Sequence, residues 1–243
     1  MHTLGLKRGA GYVHIFTASG SAIALLIVLA AIKGDTTTAL WLGLIALIID
    51  GTDGMLARRL KVKERIPWFD GARLDDIVDY LTYAFAPMVL LWTNGYLPSG
   101  AAGTIVAIVP LMASSYQFCR VDAKTDDHYF LGFPSYWNIV AFYSIVLDLT
   151  TTEVTTILLV CSFLVFVPIC YLYPSRTRTF WKANLALTAA WHVLYAVILL
   201  QMPDPARWTI ALSLLYLAYY LAVSLYLTLQ RRSAPAVAEV VAG

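Results

Sequence analysis

Asp50-Gly51-Thr52-Asp53-Gly54-Met55-Leu56-Ala57-Arg58 closes one long apolar run, and Gly71-Ala72-Arg73-Leu74-Asp75-Asp76-Ile77-Val78-Asp79 opens the next. The runs cover residues 38–60 and 72–93. Each has the length of a membrane-spanning helix, for which about 20 apolar residues suffice. The acids therefore stand at the same end of two neighbouring helices. Asp50 and Asp53 are three residues apart and Asp75 and Asp79 four apart, so on a helix each pair shares a face.

Outward from this pair the pattern repeats. Further apolar runs lie near 12–32, 101–119, 135–149, 154–173, 180–201 and 206–229, eight spans in all. The run 135–149 is short for a bilayer and needs tilt, extension or burial against its neighbours. With 60% hydrophobic and 13% charged residues, the chain has more apolar surface than a soluble domain of its length can hide. The expected fold is an all-α integral membrane protein, with residues 1–232 forming one membrane domain and 233–243 a disordered tail. The first run lacks a small-residue cleavage site and reads as a retained helix. Cys119, Cys161 and Cys170 sit in apolar segments without a CxxC pair and read as packing residues. Nothing in the chain suggests nucleic acid, haem or a soluble protein partner.

The basic residues orient the bundle. An even number of spans with the amino terminus inside puts 15 of the 17 Lys and Arg residues on the cytoplasmic side, leaving Lys33 and Arg207 outside. Both termini are then cytoplasmic, and so is the acidic end of the two helices. The inside connections are long and carry charge, aromatics and prolines, whereas the outside ones are short.

Four carboxylates beside hydrocarbon repel one another and are costly to desolvate, so a cation must neutralise them. Oxygen-only ligation suits Mg2+ or Mn2+, and no His or Cys stands at ligand spacing for zinc or copper. Asp50, Asp53, Asp75 and Asp79 are the candidate ligands of two ions that clamp phosphate oxygens. Gly54, Ala57 and Gly71 leave room on the acidic faces, and Arg58 suits bidentate pairing with a phosphate. With no embedded Ser, Cys or His nucleophile, direct attack by an acceptor alcohol is expected, with Asp79 taking its proton. A cation transporter also places aspartates on two helices, but its site belongs near mid-membrane on broken helices. Asp76 reads as a solvated or supporting carboxylate, Asp126, Asp127 and His128 as a solvated face, and His14 and His192 as packing histidines.

In this order the residues resemble the signature of the CDP-alcohol phosphotransferase family, D-x2-D-G-x2-A-R-x8-G-x3-D-x3-D. The resemblance implies that Asp50, Asp53, Asp75 and Asp79 hold the metals, that Asp79 is the base, and that Gly54, Ala57, Arg58 and Gly71 line the site for CDP-diacylglycerol. It also implies a homodimer. Here twelve residues, 59–70, separate Arg58 from Gly71 where the family has eight, so contacts from that linker do not transfer. The longer spacer, the eight spans against the family's usual six, and the segments Gly132-Phe133-Pro134-Ser135-Tyr136-Trp137-Asn138 and Tyr173-Pro174-Ser175-Arg176 are similar to one bacterial branch of the family. That branch joins choline to CDP-diacylglycerol in the inner membrane and releases CMP.

A quaternary ammonium offers no hydrogen-bond donor, so a choline site needs aromatic faces. Tyr80, Tyr83, Tyr116, Phe118, Tyr129, Phe130, Phe133, Tyr136 and Trp137 crowd the cytoplasmic side, and Tyr83, Tyr116, Tyr136 and Trp137 are the choline candidates. An interfacial aromatic belt would look the same. An acceptor carrying a phosphate would instead use basic residues, which Arg120, Lys124, Arg176 and Arg178 supply. The residues alone leave that alternative open.

Overall fold

The computed structural model describes residues 2–125 and 127–233, with side chains from residue 9 to residue 231 apart from Asp126. The expected tail, apart from Ser233, and Asp126 of the expected solvated face lie outside the described residues. Helix α1 (His2–Ile32) packs along α2 (Thr36–Arg59). Asp35 caps α2 by accepting from the Thr38 amide at 2.9 Å, and Arg58 and Arg59 complement the helix dipole at its other end. The chain reverses through Lys61, which is left-handed, into the one-turn α3 (Val62–Arg65). The extra linker residues are thus folded. Val62 packs with Ala10 and Val13, and Phe69 lies 4.4 Å from the His14 ring.

The run 72–93 is a helix with a widened middle. Asp70 caps α4 (Gly71–Asp79) by accepting from the Arg73 amide at 3.1 Å. A π-helical turn, Tyr80–Phe85, follows before α5 (Ala86–Thr93). Pro87, in the first turn of α5, has no N–H and its ring crowds the carbonyl four residues earlier, at Tyr83. The wider turn relieves that clash, and the Ala86 amide reaches back to the Leu81 carbonyl.

After α6 (Ala101–Cys119) come strand β1 (Tyr129–Leu131), α7 (Trp137–Val146), α8 (Thr151–Leu164), strand β2 (Cys170–Leu172), α9 (Trp181–Leu200) and α10 (Arg207–Ser233). Helices α1, α2, α6, α9 and α10 are long and apolar enough to cross a membrane. Their outward surfaces show Ile105, Met112, Leu200, Leu215 and Leu225, as a multi-pass membrane protein requires. Helix α7, in the short run, has only 10 residues because it is an interior helix: Trp137, Ala141 and Phe142 are buried. Phe142 stacks on Tyr195 at 3.7 Å, and the Trp191 indole donates to the Tyr143 hydroxyl at 2.9 Å. Buried small residues on α1 and α2 (Ala24, Ala30, Ala31, Ala39, Ala46) let helices approach closely where lipid removes any hydrophobic drive between them.

One expectation is corrected. The run 154–173 is not one helix: α8 ends at Leu164, Pro168 blocks continuation, and the chain leaves as β2. The all-α class holds, with one small two-stranded addition. Strands β1 and β2 pair antiparallel, Tyr129 opposite Leu172 and Leu131 opposite Cys170, and Lys124 bridges to Phe130 on the other side of β1. This small cap is stitched to α10, where Thr228 and Ser224 hydroxyls accept from the amides of Cys170 (2.9 Å) and Leu172 (3.0 Å).

Gly132 hinges the cap. Its φ is +80°, its amide donates to the Ile169 carbonyl at 2.9 Å, and a Cβ would collide with the Val165 carbonyl oxygen. Gly132→Ala should therefore cost about 1–3 kcal/mol from backbone strain alone. The expected readout is a lower thermal midpoint in detergent, while Gly11→Ala, in open space inside α1, leaves it unchanged or slightly raised, alanine being the better helix former. Equal midpoints would contradict the hinge.

Candidate active site

The acid motif converges as its spacing requires. Ligand oxygens of Asp50 from α2 and of Asp75 and Asp79 from α4 lie within 4.8 Å of one another. Asp53 is buried next to them but points aside, its Oδ2 accepting from the Thr17 hydroxyl at 2.7 Å. The structure thus gathers three of the four expected ligands and holds the fourth on α1. Asp76 faces the cap, where its Oδ1 lies 3.2 Å from Lys124 Nζ. Lys124 also reaches Asp75, at 3.8 Å, and is the only cation paired with the cluster among the described residues. Burial lowers the Lys124 pKa, but Asp76 and Asp75 outweigh it and hold the ammonium above the ordinary lysine range.

Three carboxylates against one ammonium leave the cluster under-neutralised. Its oxygen-only donor set fits a hard divalent cation such as Mg2+ or Mn2+.

The small residues fall into two groups. A Cβ at Gly54 would meet Arg58 Nη1 at 3.3 Å, so the guanidinium lies over Gly54, unpaired with any carboxylate among the described residues. Gly71 faces His14: a Cβ there would come within 2.8 Å of the imidazole, whose Nε2 is buried without a partner. Ala57 packs on the Ala10–Val13–Val62 cluster.

The aromatic candidates separate more sharply. Tyr83, carried inward by the π turn, donates its hydroxyl to Asp50 Oδ2 at 2.5 Å. Its ring lies 5.9 Å from Tyr136. Tyr136 lies 6.2 Å from both Phe130 and Tyr220, and Phe130 stacks on Tyr173 at 4.4 Å. One aromatic wall thus continues directly from the acid cluster. Tyr116 is not in it: its ring packs on Phe166 at 4.9 Å beneath Arg120. Trp137 is fully buried, with its indole N–H on Ser114 at 2.6 Å and its ring against Phe133. The candidate set omitted Phe130, Tyr173 and Tyr220. Tyr220 had a signal, since Tyr220, Ser224 and Thr228 recur at helical spacing and form one polar stripe in an apolar run. Tyr173 lay in a quoted segment, but its place depends on the cap.

The profile of the CDP-alcohol phosphatidyltransferase family matches residues 14–169. The chain belongs to that family. It is 36% identical to a phosphatidylcholine synthase of Borreliella burgdorferi over 226 residues, covering 92% of this chain and 96% of the relative. Phosphatidylcholine synthases of Legionella pneumophila and Pseudomonas aeruginosa are each 39% identical, covering 93% and 90% of this chain and 91% and 92% of the relatives.

A hydroxyl that fixes a carboxylate ligand typically matters about ten- to hundredfold in metal affinity. Tyr83→Phe should weaken Mn2+ binding, measured by calorimetry, by that order. An unchanged affinity would mean that Asp50 is oriented without Tyr83.

Proposed function

We propose that this chain is a phosphatidylcholine synthase, transferring the phosphatidyl group of CDP-diacylglycerol to choline and releasing CMP. The observation that carries the reading is Tyr83, which joins the acid cluster to the aromatic wall. It places a carboxylate for the alcohol beside ring faces for a quaternary ammonium. The names of the relatives point the same way. Of the residues suited to a phosphate-bearing acceptor, Arg120 is already held by Asp122 at 2.6 and 2.7 Å.

Asp50, Asp53, Asp75 and Asp79 would hold two Mg2+ or Mn2+ ions. When bound, the metal supplies positive charge for the diphosphate and the departing phosphate. Arg58 pairs with a phosphate oxygen over Gly54, while Ala57, packed on Ala10 and Val13, and Gly71, against His14, let α1 close in along the motif beside the nucleotide. Tyr83, Tyr136, Phe130, Tyr173 and Tyr220 surround the ammonium; Trp137 sets the position of Tyr136 from the core, and Tyr116 flanks the entrance. Asp79 takes the choline hydroxyl proton, the oxygen attacks the phosphatidyl phosphorus, and the bond to CMP breaks. The chain is one membrane domain over residues 1–232, with eight spans and both termini cytoplasmic, working as a homodimer in a bacterial inner membrane. The basic asymmetry supports an even number of spans with both termini on one side.

Purified protein with CDP-diacylglycerol and Mn2+ should release CMP with choline. It should release none with glycerol 3-phosphate, inositol phosphate, serine or ethanolamine, and chelator should abolish the choline signal. Turnover with another of these alcohols would move the substrate elsewhere within the family. Asp79→Asn should cut turnover at least about 100-fold. Tyr136→Ala should raise the choline KM about tenfold, the loss of one desolvated cation–π contact. Full activity in Asp79→Asn would refute the base assignment.

A further inference from the structure

Lys124 lies outside the acid motif, yet it is the cation that meets it. Its Nζ stands 3.2 Å from Asp76 and 3.8 Å from Asp75, and its side chain is 46% exposed. A lysine on a loose loop beside exposed carboxylates would carry little meaning. This one is mounted. The Leu131 amide donates to the Ala123 carbonyl and the Thr125 amide to the Tyr129 carbonyl, both at 2.9 Å, flanking the bridge from Lys124 to Phe130. Strand β1 is paired to β2, and β2 is tied to α10 through Ser224 and Thr228. On the turn side the Thr177 hydroxyl donates to the His128 carbonyl at 2.9 Å. The backbone is fixed over the acids while the four-carbon stem stays free to swing.

Asp75 is claimed twice, by Lys124 and by the metal group it forms with Asp50 and Asp79. Both cannot hold the same oxygens at full strength. An ammonium displaced from Asp75 remains over the site, where the incoming diphosphate brings negative charge.

We propose that Lys124 is a movable counter-ion, pairing with Asp75 and Asp76 in the resting protein and passing to the diphosphate of the nucleotide substrate when the site is loaded. It is a substrate-binding residue supplied by the cap, and the inference rests on the nucleotide reading above. Removing the ammonium then has two effects of opposite sign: it frees Asp75 for metal and strips a contact from the diphosphate. Loss of a structural ion pair has no such signature.

Mn2+ binding is measured without substrate, by electron paramagnetic resonance of the free ion. Binding of CDP to the Mn2+-loaded protein is followed by calorimetry, and KM by CMP release. Lys124→Met, and Lys124→Gln as a second variant should the first fail to fold, should bind Mn2+ about threefold or more tighter. CDP binding should weaken and the KM for CDP-diacylglycerol rise about tenfold, with the choline KM within twofold of the parent. Lys124→Arg should restore nucleotide affinity. Unchanged or weaker Mn2+ binding in both neutral variants, or an unchanged nucleotide affinity, overturns the proposal. Absent turnover by the parent with choline defeats the proposed function instead, and the Mn2+ and CDP arms still decide the role of Lys124.

Discussion

Carboxylates crowded at the ends of two helices beside hydrocarbon are the constraint around which this protein is organised. Asp50, Asp75 and Asp79 would be driven apart by their own charge and by the cost of desolvation unless the surrounding structure held them. Each neighbour answers one part of that demand. Tyr83 donates to Asp50, Thr17 to Asp53, and Lys124 sets an ammonium against Asp75 and Asp76. The π turn belongs to the same solution, since it follows Asp79 directly and carries Tyr83 to Asp50.

The cap is what makes the site more than an acidic patch. Its two strands are only three residues each, yet they bring together Lys124, Phe130 and the chain into Tyr173, residues drawn from the connections on either side of α7 and α8. Anchoring on the Ser224–Thr228 stripe of α10 couples this surface to the last helix. The acid cluster and the aromatic wall therefore share one hydrogen-bonded frame, with the buried α7 filling the centre.

The acid motif was legible because its chemistry and its geometry are local. Spacings of three and four residues on two adjacent apolar runs dictate a shared face, and the structure joins those faces. The cap was not legible, because three-residue strands have no period to detect and Val165, Val167 and Ile169 extend an apolar run that hides its break at Pro168. The aromatic assignment failed in part for the same reason. Tyr116 and Trp137 lie near the right end of the chain's helices, but which way a ring faces depends on Phe166, Ser114 and Phe133, which packing alone brings there. Tyr220 shows the opposite case, since its helical spacing with Ser224 and Thr228 is a polar face readable in the sequence that the choline candidates passed over.

A two-ion site assembled by α2 and α4 can be detected in the protein alone. Pulsed electron paramagnetic resonance on purified protein titrated with Mn2+ addresses it without any substrate. Two ions per chain with a spin-coupled spectrum are expected, reduced to an uncoupled single-ion signal or lost in Asp75→Asn. Two uncoupled ions, or a coupled pair that survives Asp75→Asn, would contradict it.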